Sequence, residues 1–273
     1  MKTSATLEEL VGLVVETSSS LADDVEKALK AACRREAADS AAKTVLKTIL
    51  ANIRLARRQK TPLCQDTGTL TFFVAEECRQ TITPQLIKAA VAKATALGAL
   101  RRNTLAAISG KSYDDNVCDG APVVHYVKLG GNRRVTLLMK GGGSENMSRQ
   151  YSLPDSELGA ARDLAGVKSC ILDAVYKAQG YGCAPGILGV CIGGDRATGY
   201  ETAKEQLLRP LDEKPTTLEA ELLAKANTLG IGPMGLGGKT TLLGLKIAER
   251  PRVPASFFVT VAYMCWAARR RSI

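Results

Sequence analysis

Apolar residues recur three and four apart over 7–17, over 24–35 and, behind a Ser40 cap, over 41–58, which predicts three amphipathic helices in the first sixty residues. Pro62 stops the third. A loop over 64–69 then leads into a strand-like run at 70–75, and Thr83-Pro84 has the cap-then-proline signature of a helix that runs to Gly98. Two β-rich runs, 123–129 and 135–139, flank Gly130-Gly131-Asn132 and read as a hairpin. Residues 155–178 read as mostly helical, and 186–192 as a buried strand between glycines. Further helices are expected at 200–208 and, with Thr216 and Glu219 spaced as a capping box, at 218–229. Strands follow at 242–247 and 257–264. The expected fold is α+β: a helical N-terminal region, and helices covering mixed and antiparallel β-sheets.

With 273 residues, 45% of them hydrophobic, the chain can bury one large core or two small ones, so disorder is excluded. No stretch is apolar enough to span a membrane, and the acids near the N-terminus do not suit a secretion signal; a soluble cytoplasmic protein is expected. The formal charge of +10 raises nucleic-acid binding. However, the basic clusters at Arg57-Arg58, Arg101-Arg102, Arg133-Arg134 and Arg269-Arg270-Arg271 are scattered, and aromatics are only 4% of residues, too few for base-stacking platforms. An anionic small substrate or an acidic partner accounts for the excess more simply, with neither nucleic acid nor membrane as partner.

His125 is the single histidine, which removes most zinc and haem sites and the Ser-His and Cys-His pairs, since each needs imidazole. Any metal must lean on thiolate or carboxylate. Eight cysteines without a C-x-x-C exclude a zinc ribbon and a ferredoxin run. Cys64 opens the polar loop Cys64-Gln65-Asp66-Thr67-Gly68-Thr69, Cys183 stands on a turn before a buried strand, and Cys265 follows a strand. Each alone could be a buried structural thiol, and Asp66 could merely cap a turn. Three thiols at element ends could also hold a cubane cluster and leave one iron open as a Lewis acid. Cysteines 33, 78, 118, 170 and 191 have no comparable loop context and are read as structural.

Two glycine-rich stretches imitate nucleotide loops and fail on spacing. Pro233 stands where a P-loop ending in Gly238-Lys239-Thr240 needs glycine, and Gly189-Val190-Cys191-Ile192-Gly193-Gly194 lacks the dinucleotide pattern. By contrast, Lys140-Gly141-Gly142-Gly143-Ser144-Glu145-Asn146 offers bare backbone that a ligand can approach, an anion-binding concavity or else a flexible loop. Arg101 could clamp a carboxylate bidentately, or belong to a solvated basic face.

Together these pieces resemble the alpha subunit of two-subunit class I fumarases and the related tartrate dehydratases. The resemblance is carried by Cys64-Gln65-Asp66-Thr67-Gly68-Thr69, Leu100-Arg101, the 140–146 run, Cys183-Ala184-Pro185-Gly186, Gly230-Ile231-Gly232-Pro233 and Tyr263-Met264-Cys265-Trp266-Ala267. It implies one alpha-subunit domain over 1–273 and a [4Fe-4S] cluster held by Cys64, Cys183 and Cys265. It also implies contacts from Gln65, Asp66, Arg101 and Gly141, Gly142 and Gly143 to a dicarboxylate substrate, with Asp66 taking the acid/base role. Where many relatives have Cys-Pro-Pro, this chain has Cys183-Ala184-Pro185, and where some carry a histidine before a proline it has Val253-Pro254. The resemblance further implies a separate beta subunit that completes the hydro-lyase. Fumarate is the expected substrate because the Gly-Gly-Gly-Ser-Glu-Asn run is the fumarase form; tartrate, or a cluster-free binding protein of the same fold, are the alternatives.

Overall fold

In a computed structural model that describes residues 5–273, the three N-terminal helices form where periodicity puts them. They are α1 (Leu7–Ser19), α2 (Asp23–Arg35) and α3 (Ala41–Gln59). The first is started by a capping box: Thr6 Oγ1 accepts the Glu9 N–H at 3.1 Å, and the Glu9 carboxylate accepts the Thr6 N–H at 2.7 Å. The chain divides into two compact units, one of Met1–Ala22, Ala51–Gly142 and Ala267–Ile273, the other of Asp23–Leu50 and Gly143–Trp266.

The first unit is built on a four-stranded sheet of β1 (Thr69–Ala75), β2 (Val123–Val127), β3 (Val135–Lys140) and β8 (Arg269–Ser272), in the order β2-β1-β3-β8. Helix α4 (Pro84–Ala96), capped by Thr83 with Pro84 in its first turn, carries the chain from β1 to the parallel β2. Alternate residues Leu70, Phe72 and Val74 of β1, with Val135, Leu137 and Met139 of β3, are buried in one apolar core with Leu10, Val14, Ile87 and Val91 of α1 and α4. The hairpin expected between β2 and β3 does not exist. β1 lies between them, parallel to β2 and antiparallel to β3, so the glycine-rich turn joins strands that are not hydrogen-bonded neighbours.

The second unit holds a sheet of β4 (Arg149–Ser152), β5 (Gly186–Gly193), β6 (Leu242–Arg250) and β7 (Phe258–Met264), in the order β4-β7-β5-β6. β5 is central and buried, parallel to β6 and antiparallel to β7. Helices α6 (Leu164–Ala178) and α8 (Thr217–Thr228) share one apolar core with Leu188 and Val190 of β5. Helix α7 (Arg196–Gln206) packs close to Gly189, where any side chain would collide with the carbonyl of Ala203. The Thr216–Glu219 capping box forms as read. Helix α6 starts at Leu164 rather than near 155, because Asp163 is its cap and Asp155 instead pairs with Ala160 in an isolated bridge. The 141–146 run is not an open loop throughout, since Gly142–Asn146 forms a short helix, α5. The architecture is α+β with mixed sheets. No helix among the described residues is long and apolar enough to cross a membrane.

Candidate active site

In the first unit, the loop that enters β1 is tied down at each polar residue. Asp66 Oδ2 accepts the Gly142 N–H at 2.7 Å, and the Asp66 carbonyl accepts from Arg269 Nη2 at 2.8 Å. Thr67 Oγ1 accepts from Asn103 Nδ2 at 3.1 Å, and the Gln65 carbonyl accepts from Arg101 Nη1 at 3.2 Å. The loop can lie this close only because of two glycines. Gly68 has a φ of +76° and leaves no room for a Cβ, which would stand 2.5 Å from the Lys140 carbonyl oxygen; a Cβ on Gly141 would stand 2.8 Å from Asp66 Oδ2. The bare backbone at Gly141 and Gly142 therefore serves the Asp66 carboxylate directly, while Gly143 is exposed with nothing close to its Cβ position.

Asp66, Thr69, Asn103, Thr104, Asn116, Pro122 and Gly142 line a cavity of about 240 Å³ in this unit. That is a volume suited to a small polar molecule rather than a nucleotide. Asn116, which the sequence reading did not single out, organises one wall. It is 3% exposed and has a left-handed φ of 61°, a conformation its short amide tolerates. Its Oδ1 accepts from the Asn103 N–H, the Thr104 N–H and Thr104 Oγ1, and its Nδ2 donates to the Arg101 carbonyl at 2.8 Å and to Thr95 Oγ1 at 3.0 Å. Five hydrogen bonds from one buried side chain set the backbone of the segment that presents Arg101. The guanidinium itself is exposed, as is Gln65.

In the second unit, the segments that carry two of the three singled-out thiols are joined by a backbone hydrogen bond. The Trp266 N–H donates to the Cys183 carbonyl at 3.3 Å, and the Cys265 N–H donates to Ser144 Oγ at 3.1 Å. Cys183 has a φ of 51°, a conformation a non-glycine residue adopts rarely and mostly at functional sites. Gly182 and Gly186 bracket it because the Tyr263 ring lies where their side chains would be. Burial first, then electrostatic interaction with Cys265 and Cys183, raises the Tyr263 hydroxyl above the usual phenol range. None of the eight cysteines forms a disulfide, and Cys64, Cys183 and Cys265 are half-exposed. Cys33, Cys78, Cys170 and Cys191 are buried; burial first, then the carboxylates of Asp155 and Asp173, pushes the Cys170 thiol up to about 12, and burial raises Cys191 also. Cys170 and Cys191, so reluctant to ionise, are poor metal ligands, which suits the structural role expected of them. Cys118 is half-exposed, paired through its backbone with Ala121. Within either unit, no three His, Cys, Asp or Glu side chains among the described residues converge as a metal site.

The P-loop imitation is disposed of by its own backbone. The Lys239 N–H, which a phosphate would need, donates to both oxygens of the buried Glu36 carboxylate at 3.0 Å. Lone His125 is half-buried on β2 with its ring stacked on Phe73, a packing role.

An α+β chain with a polar cavity beside an acidic loop, and half-exposed thiols at element ends, has the form of a small-molecule enzyme rather than a scaffold. The chain belongs to the fumarate hydratase (fumerase) family, whose model matches residues 7–273. It is 46% identical to a provisionally named class I fumarate hydratase of Geobacillus stearothermophilus over 97% of its own length and 54% of that protein's. It is also 34% identical to a provisionally named L(+)-tartrate dehydratase subunit alpha of Methanocaldococcus jannaschii, covering 96% of this chain and 94% of that one. The L(+)-tartrate dehydratase subunit alpha of Escherichia coli K12 is 30% identical over 94% of this chain and 86% of its own. The chain thus spans about half of the fumarase-named relative and nearly all of the two alpha subunits.

Proposed function

We propose that this chain, as one alpha-subunit module over residues 1–273, belongs to an iron–sulfur-dependent hydro-lyase that reversibly hydrates fumarate to L-malate together with a beta subunit. The observation that carries the reading is Asp66: a half-buried carboxylate on the wall of a small polar cavity, with one oxygen on the Gly142 N–H and no cation paired with it among the described residues. Fumarate is favoured over tartrate by the greater identity to the fumarase-named relative; the tartrate reading has the similarity to L(+)-tartrate dehydratase alpha subunits in its favour.

The donor set fits the [4Fe-4S] cluster that the reading requires. Cys64, Cys183 and Cys265 would hold it: all three are half-exposed and outside any disulfide, and the segments bearing Cys183 and Cys265 are hydrogen-bonded together. Bound there, the cluster supplies a Lewis-acidic iron for the hydroxyl leaving or joining the carbon. The chain's own residues do the rest. In the dehydration direction Asp66 takes the proton from the carbon next to a carboxylate, and in hydration it returns that proton. One Asp66 oxygen is occupied by Gly142, which leaves the other to face the substrate. Arg101 and Gln65 contact a substrate carboxylate, the guanidinium offsetting charge that develops there as the proton leaves. The backbone at Gly141, Gly142 and Gly143 lets the dicarboxylate approach closely.

Trans addition calls for a second acid/base group on the opposite face, which a beta subunit would bring. Eight cysteines without a disulfide suit a reducing, cytoplasmic setting. The test is anaerobic purification with and without a beta subunit, followed by visible absorbance and assays with fumarate and L-tartrate. The expected result is a brown protein that hydrates fumarate only as the two-subunit complex; a colourless, fully active alpha chain would overturn the reading.

A further inference from the structure

The basic run Arg269-Arg270-Arg271 reads from sequence as part of a scattered positive charge, but in the fold its first residue is 1% exposed. Arg269 opens β8 directly opposite Met139 of β3, and opposite residues of an antiparallel pair point to the same face. That face is the apolar core of the first unit, to which Met139 belongs. Among the described residues no carboxylate forms an ion pair with Arg269, and its buried Nε and Nη1 have no partner in the chain. Among the described residues its side chain makes a single hydrogen bond, from Nη2 to the main-chain carbonyl of Asp66 at 2.8 Å. Two residues further along the strand, Arg271 donates to Ser20 Oγ at 2.8 Å, an ordinary anchoring contact.

A buried guanidinium without a counter-charge is costly, and an apolar side chain in its place would pack this strand against α1 more cheaply. Its one bond goes to the residue whose carboxylate the reaction uses. We propose that Arg269 is the positioning residue of Asp66: it pins the loop's backbone from the C-terminal strand so that the carboxylate meets the Gly142 N–H and keeps its free oxygen toward the cavity. This rests on the acid/base assignment of Asp66 made above. The side chain needs no contact with substrate, because fixing the carbonyl of Asp66 fixes the base of a side chain only two torsions long.

The test compares the full alpha chain as wild type, Arg269→Met and Arg269→Lys, each with its beta subunit, by hydrogen exchange and steady-state kinetics. In Arg269→Met, exchange at residues 64–68 and at Gly142 is expected to quicken by about tenfold while strands of the second unit are unchanged. kcat is expected to fall by about 10²-fold with KM nearly unaltered, since misplacing a reacting group harms the chemical step. Arg269→Lys, which keeps the charge and can reach one carbonyl, should lie between. Unchanged loop exchange would overturn the proposal, as would faster exchange throughout the first unit, or a raised KM at normal kcat. Should Arg269→Met fail to fold, wild-type exchange and kcat in Arg269→Lys overturn it and an intermediate position supports it. A wild-type complex inactive on fumarate would defeat the functional reading instead, leaving the exchange comparison to decide what Arg269 does.

Discussion

Asp66 and Gly142 stand 76 residues apart in the chain and meet through a 2.7 Å hydrogen bond from the Gly142 N–H to the Asp66 carboxylate. The contact engages one carboxylate oxygen, and under the acid/base role proposed for Asp66 the other is the one that meets substrate.

Asp66→Asn separates these two tasks. The Asn carbonyl oxygen can still accept the Gly142 N–H, so the loop should stay in place while the proton acceptor is lost. Turnover of the two-subunit enzyme is expected to fall by about 10²-fold or more with KM little changed. Normal turnover with a raised KM would assign Asp66 to binding.

The thiols divide by exposure. Serine at Cys64, Cys183 or Cys265 is expected to abolish cluster incorporation, whereas Cys78→Ser and Cys170→Ser should leave iron content at the wild-type level. Iron and sulfide analysis after anaerobic reconstitution checks this, and full iron in Cys265→Ser would remove the third ligand from the proposed set. Chelation of the iron in wild type should likewise bleach the visible absorbance together with the activity.

Asn116→Ala removes five hydrogen bonds and strands the Asn103 and Thr104 amides. A loss of about 1–3 kcal/mol of stability is expected, read from the denaturant midpoint. Because the same bonds shape the segment that carries Arg101, KM for the dicarboxylate should rise at temperatures where the variant is folded. A variant of wild-type stability and KM would show that the wall does not depend on Asn116.

Cys170 ties stability to alkaline pH. Burial raises its thiol from an ordinary value of 9.0 to about 12 in the folded chain. The unfolded chain therefore releases the proton first, so the contribution is intact below pH 9.0 and is lost as pH rises toward 12. Melting temperature should decline over that window, and Cys170→Ala should decline less steeply; parallel curves would show that Cys170 is not the group responsible.

The sequence alone determined what local periodicity and local chemistry encode. The three N-terminal helices, the Thr83-Pro84 helix start and the Thr216–Glu219 capping box are settled by residues within four positions of one another. Cys64, Cys183 and Cys265 were likewise legible as thiols at the ends of elements, and the glycines at 141 and 142 as backbone that something must approach. What approaches was decided only by the fold, because pairing between distant segments leaves no mark in either segment's own pattern. Strand β1 slips between the two runs that look like a hairpin. The four-residue strand β8 hides in a run of arginines whose polarity suggests a surface, yet Arg269 reaches across 203 positions to the carbonyl of Asp66. Asn116 reads as an ordinary turn residue until its amide is seen making five hydrogen bonds, to Thr95 at the end of α4 and to the 101–104 segment. Such side chains are specified by the geometry of the groups around them, and that geometry exists only once the sheet has formed.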